Sequence, residues 1–186
     1  MVIKLMKTRE LVLAALFIAI VYLATAHLRI PSPDVTGAGQ VHTGTAVVFI
    51  VSIVFGAKMG AISSFGMVLF NLTWGLVPWA PINLISRPIM AFIFAKIAHS
   101  GGAGGKKLPR NILAALVGGV WLVATMYAGQ IIMFGVPWVI PAAFIPNNIA
   151  QIVLAIVLGL PMIRVLQKYK FNDHPAPKHT PPKSED

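Results

Sequence analysis

The chain has no cysteine, which removes thiol catalysis from consideration and leaves its redox compartment unmarked. Charge is nearly as scarce, since only 11% of the 186 residues are Asp, Glu, Lys or Arg and five of those are acids. A soluble domain needs more polar surface than this to stay dispersed. What fills the chain instead is apolar, with 57% hydrophobic residues and a mean hydropathy of +0.81. Several apolar runs approach the roughly 20 residues that cross a bilayer core of about 30 Å. The class is an all-α, polytopic membrane protein.

Six runs carry that reading: Leu11 to Ala26, Thr43 to Ala57, Met59 to Leu72, Ile82 to Ala98, Ile112 to Phe134, and Pro141 to Ile163. The second and third are short and separated only by Lys58, so they are expected to form a tight helical hairpin. A five-span chain is the alternative.

Thirteen of the fifteen Lys and Arg residues select the orientation. Lys4, Lys7 and Arg9 precede the first run, Lys58 divides the second from the third, and Lys96, Lys106, Lys107 and Arg110 flank the fourth connection. Arg164, Lys168, Lys170, Lys178 and Lys183 close the chain. Six spans with both termini in the cytoplasm satisfy all of these under the positive-inside rule, so the formal charge of +10 marks a membrane orientation and not nucleic-acid binding. Only Arg29, in the first outer loop, and Arg87 break the pattern.

Residues 1–170 therefore read as one six-helix transmembrane unit and 171–186 as a cytoplasmic tail. The tail sequence "FNDHPAPKHTPPKSED" is too polar and proline-rich to bury a core, and is expected to be disordered. The basic start and the small residues Ala24 and Ala26 imitate a signal peptide, but the run is long for one and serves the topology as a span. In "HSGGAGGKKLPR" the spacing of a phosphate-binding loop fails: Ser100 stands six before Lys106 where a glycine is needed, and Lys107 where Ser or Thr is needed.

Polar side chains inside spans are costly and usually face a cavity or a partner. Here they gather at the outer ends: His27, His42, Asn71, Asn83, Arg87, Gln130, Asn147, Asn148 and Gln151. Asn83 and Arg87 share a helix face by their spacing of four, as do Asn147 and Gln151, and Tyr127 and Gln130 lie three apart. Trp74, Trp79 and Trp138 fall in the two short outer connections. These residues suit an outer-leaflet pocket, although interfacial tryptophans also anchor and amides also join helices. For Arg87 two roles stand open, a bond to substrate or a pair with Asp34, the only acid on the outer side. Ala15 with Ala19, and Gly56 with Gly60, are small residues four apart that let helices approach closely, inside the bundle or against another membrane protein.

With these features in view the chain resembles the substrate-binding S components of energy-coupling factor (ECF) vitamin transporters, from Thr8 to about Lys170. The stretches that carry the resemblance are "TRELVLAALFIAIVYLA", "VHTGTAVVFIVSIVFGAKMGAISS", "LFNLTWGLVPWAPINLISRPIMAFIFAKIA" and "FIPNNIAQIVLAIVLGLPMI". The His42-xxx-Ala46 start of the second run and the "WAP" segment are most like the hydroxymethylpyrimidine or vitamin B6 subgroup. Asn71 departs from it, because many of those relatives carry an acid there.

The resemblance implies a prokaryotic plasma-membrane protein that is not an enzyme and needs no cofactor. It implies a vitamin pocket open outward beneath the loop between spans one and two, and a partner module of one shared membrane subunit and two ATPases that topples the protein to face the cytoplasm. Ala15 and Ala19 would contact the shared subunit. "PWAPINLISRP" would form the pocket wall, Trp79 flattening a heteroaromatic ring while Asn83 and Arg87 bond its substituents, with Asn71, Trp74, His42, Gln130, Asn147 and Gln151 completing it. Another vitamin such as pantothenate is the nearer alternative. An integral membrane enzyme acting on lipid is the further one, for which the outer side offers only Asp34, Arg29, His27 and His42.

Overall fold

The computed structural model describes residues 7–31 and 40–169. Lys4, Asp34 and the tail expected to be disordered lie outside them. The first long helix, α1 (Thr8–His27), leads into a short antiparallel hairpin of β1 (Arg29–Pro31) and β2 (Gln40–His42), in which Arg29 pairs with His42 and Pro31 with Gln40. The sequence reading has only a loop here. The remaining helices are α2 (Gly44–Phe55), α3 (Ala57–Ser63), α4 (Phe65–Thr73), α5 (Ala80–His99), α6 (Leu108–Phe134), α7 (Val139–Ala142) and α8 (Ile145–Lys168).

They make six membrane-crossing segments, α3 with α4 counting as one broken helix and α7 leading into α8. Four segments are long and apolar enough to cross by themselves, whereas the 12 residues of α2 reach only about 18 Å. The division between the second and third segments is sharp. Gly56 sits at φ 88°, where a residue with a side chain is strained, and the chain doubles back there. α3 then lies so close to α2 that a Cβ on Gly60 would stand 2.8 Å from the Cα of Ser52. Gly60 thus serves packing inside the bundle, and the five-span alternative is removed.

The break between α3 and α4 falls at Ser64. Ser63 and Ser64 turn their hydroxyls back onto the carbonyls of Gly60 and Ala61, both at 2.7 Å, a local bond that competes with helix continuation. Just beyond it α4 presses on α1 at Gly66, where a Cβ would stand 2.7 Å from the amide nitrogen of Tyr22. The core that these contacts surround is apolar and close-packed, with Phe49 of α2 edge-on to Phe94 of α5 at 5.0 Å, beside Met67, Met90 and Leu122. A polar seam ties α5 to α6: Trp121 donates to the carbonyl of Ser86 at 3.0 Å, and the Ser86 and Thr125 hydroxyls lie 2.8 Å apart.

Six crossings leave both ends of the described chain on one face, with Lys58, Lys96, Lys106, Lys107, Arg110, Arg164 and Lys168. That face is cytoplasmic by its charge. In the connection after α5, four glycines with positive φ, Gly101, Gly102, Gly104 and Gly105, form turns and no phosphate cradle. On α1, Ala15 and Ala19 point away from the bundle in company with exposed Leu11, Val12, Leu16 and Leu23, while Ala14 packs inward with Phe17.

Candidate functional site

The opposite end of the bundle holds the polar residues. α5 begins with Pro81 in its first turn, preset for helix, so Arg87 lies two turns down, about 10 Å below the helix start. There its side chain is only 3% exposed.

A buried guanidinium needs partners, and three elements supply them. Arg87 Nε donates to Asn83 Oδ1 at 2.9 Å, and Asn83 Nδ2 in turn donates to Asn71 Oδ1 of α4 at 2.8 Å. Arg87 Nη1 donates to Thr45 Oγ1 of α2 at 2.9 Å, and Nη2 reaches Gln151 Oε1 of α8 at 3.4 Å. The Thr45 hydroxyl passes its own proton to Gln151 Oε1 at 2.8 Å, and Gln151 Nε2 approaches the carbonyl of Gln40 at 3.5 Å. One connected chain thus runs from α4 through α5, α2 and α8 to the hairpin. Such networks specify a single arrangement when every member is satisfied.

All of these groups but Thr45 border a cavity of about 80 Å³. That is several times the ~10–15 Å³ that one water needs. Of the residues singled out in the sequence, Arg87, Asn83, Trp79, Asn71, His42, Asn147 and Gln151 line it, as does Asn148. Trp79 stands half-buried at one wall, propped edge-on by Phe134 at 5.3 Å and tilted against Phe144 at 5.5 Å. A ring held on two sides presents a fixed face.

Trp74, Gln130 and Trp138 are placed otherwise. Gln130 is buried but donates to the carbonyl of Met126 on its own helix at 3.0 Å. Trp138 is 68% exposed, and its carbonyl accepts from the Tyr127 hydroxyl. Trp74 faces Arg29, whose guanidinium lies 4.2 Å over its ring and 5.5 Å over that of Phe70, while Nη1 donates to Gln40 Oε1 at 3.1 Å. Arg29 thereby clamps the hairpin to the end of α4, and the hairpin carries Gln40 and His42 to the cavity. His27 stands edge-on to the same Trp74 ring.

His42 is buried, and its Nδ1 has no hydrogen-bond partner. Burial first, and then the charges of Arg87 and Arg29, hold this imidazole at a pKa of about 3, so it is neutral at ordinary pH.

Sequence reasoning passed over Thr25 and Thr45, hydroxyls of a kind that usually bond their own helix, as Thr25 does to Val21 at 2.7 Å. It also passed over Met67, Phe70, Met126 and Phe144, which line the cavity but resemble ordinary core residues. No group of His, Asp and Glu suited to a metal ion occurs among the described residues.

No curated protein matches the chain. Three solved chains do. One, described as the structure and mechanism of the S component of a bacterial ECF transporter, superposes with a TM-score of 0.67 over 88% of this chain and 98% of its own, at 13% identity. That likeness establishes the fold. Residues 5–168, nearly all of the chain, match the family described as the ECF-type riboflavin transporter, S component. The chain belongs to that family, and is accordingly a multi-pass subunit of a membrane transporter and not an enzyme.

Proposed function

We propose that the cavity between the hairpin and α5 is the vitamin site, and that its substrate is a small flat heterocycle, pyridoxine-like first and hydroxymethylpyrimidine second. The observation that carries this is the convergence of one propped aromatic face, Trp79, with the Asn83 and Arg87 side chains on a single small cavity. Apolar walls with a few fixed polar groups are the usual form of a small-molecule site. Amides supply both donors and acceptors at a ring's edge. A flexible chain such as pantothenate is served less well by a flat wall.

Riboflavin, which the matched family's description names, is the second reading. A cavity of about 80 Å³ favours one ring over three fused rings unless the hairpin moves outward.

Release to the cytoplasm would follow coupling to a shared membrane subunit and two ATPases, docked along Ala15 and Ala19. The exposed small face of α1 supports that site, since nothing within the described bundle covers it. Expression of the chain with a coupling module in cells unable to take up vitamin B6 tests the reading. ATP-dependent accumulation of labelled pyridoxine is expected. Accumulation of riboflavin alone would reverse the order, and accumulation of neither ring nor hydroxymethylpyrimidine would refute it.

A further inference from the structure

Arg87 has good hydrogen-bond partners and, among the described residues, no counter-charge. Its acceptors, Asn83, Thr45 and Gln151, are all neutral. The one ion pair among the described residues joins Lys58 to Glu10 at the cytoplasmic end. Neutral oxygens satisfy the geometry of a guanidinium but leave its charge uncompensated, and burying such a charge is costly. Nothing else on the cavity wall offsets it, because the described lining residues include no carboxylate and the nearby Arg29 adds to the positive field.

Donors are also left over. A guanidinium carries five N–H groups, of which the three bonds above use three. Both terminal nitrogens therefore keep one N–H each on a side chain that borders the cavity. His42 is also on that wall, and its buried Nδ1 has no partner. A positive cavity with unspent donors is built to receive an acceptor that brings negative charge.

The geometry points to a preference, within that ring class, for a ligand that carries an anionic group, a carboxylate or a phosphate ester, whose oxygens take the two free N–H groups of Arg87 while its ring lies on Trp79. His42 Nδ1, in the tautomer that carries its proton there, is the further contact. Paired N–H groups on a planar fork match the oxygens of either anion, and such bonds are stronger than neutral ones. This assignment rests on the cavity being the substrate site.

Matched pairs of compounds test it: pyridine-3-carboxylate with pyridine-3-carboxamide, pyridoxine 5′-phosphate with pyridoxine, and riboflavin 5′-phosphate with riboflavin. Each is titrated by tryptophan fluorescence into the full chain in detergent. In the pair whose ring fits, the anionic member should bind about ten- to hundredfold tighter. Arg87→Gln should erase the difference and Arg87→Lys should keep part of it. The wild-type comparison stands even where a variant fails to fold. A neutral member that binds as tightly as its anionic partner, or a preference that survives Arg87→Gln, overturns the anionic ligand and leaves the vitamin site standing. Failure of all the compounds to bind saturably overturns the anionic ligand together with the pyridoxine and riboflavin readings.

Discussion

Arg87 Nη1 lies 2.9 Å from Thr45 Oγ1, and this bond joins the fourth membrane segment to the start of the second within a chain of side chains that ends at the outer hairpin. A ligand held at Arg87 would thereby be linked to α2, α8 and β2.

The clamp on that hairpin is Arg29. Arg29→Ala removes its stacking on Trp74 and Phe70 and its bond to Gln40. A cation–π contact is worth about 0.5–2 kcal/mol, so ligand release should quicken by roughly two- to thirtyfold. Stopped-flow fluorescence measures it. An unchanged off-rate would mean that the hairpin does not gate the cavity.

His42 makes folding sensitive to acid. The unfolded chain takes up a proton near pH 6.5, whereas the folded imidazole resists it down to about 3. Stability from this residue is thus fully present above 6.5 and is lost progressively as pH falls below it. Thermal unfolding in detergent at pH 8 and pH 5 should show a larger drop for wild type than for His42→Asn. Equal drops would contradict the burial of a neutral ring.

Ala15 and Ala19 should matter for transport and not for binding. Either Ala→Leu change adds bulk to an exposed face of α1, on the cytoplasmic side of the cavity, which a closely crossing partner helix would not tolerate. Uptake should be abolished while ligand affinity stays near wild type. Normal uptake by both variants would place the docking surface elsewhere.

Because the chain has no cysteine, single cysteines report orientation cleanly. Ser100→Cys should resist an impermeant thiol reagent in intact cells, and Val77→Cys, in the exposed turn before α5, should react. The reverse pattern would invert the topology.

The six runs were legible because apolar length is a strong signal, and Asn83 with Arg87 stood out because polar groups four apart are conspicuous within such a run. The run boundaries were less so: α1 starts at Thr8 and α8 ends at Lys168, since helices continue into polar flanks. The hairpin was not legible, its strands being three residues each and held by Arg29 and by Thr43, whose hydroxyl bonds the carbonyl of Ala24. Composition also hid the roles of Gln130 and Trp74, because local backbone and a neighbouring cation claim side chains that spacing alone assigns to a pocket.

The central claim is that Arg87 and Asn83 hold a vitamin in the outer cavity. Native mass spectrometry of protein extracted in mild detergent from cells grown in rich medium tests it most directly. Wild type should retain a small heterocycle, and Arg87→Ala and Asn83→Ala should lose it, with affinity for the identified compound lowered about ten- to hundredfold in Arg87→Ala. A wild-type chain that retains no small molecule, or variants that retain it as well as wild type, would contradict the account.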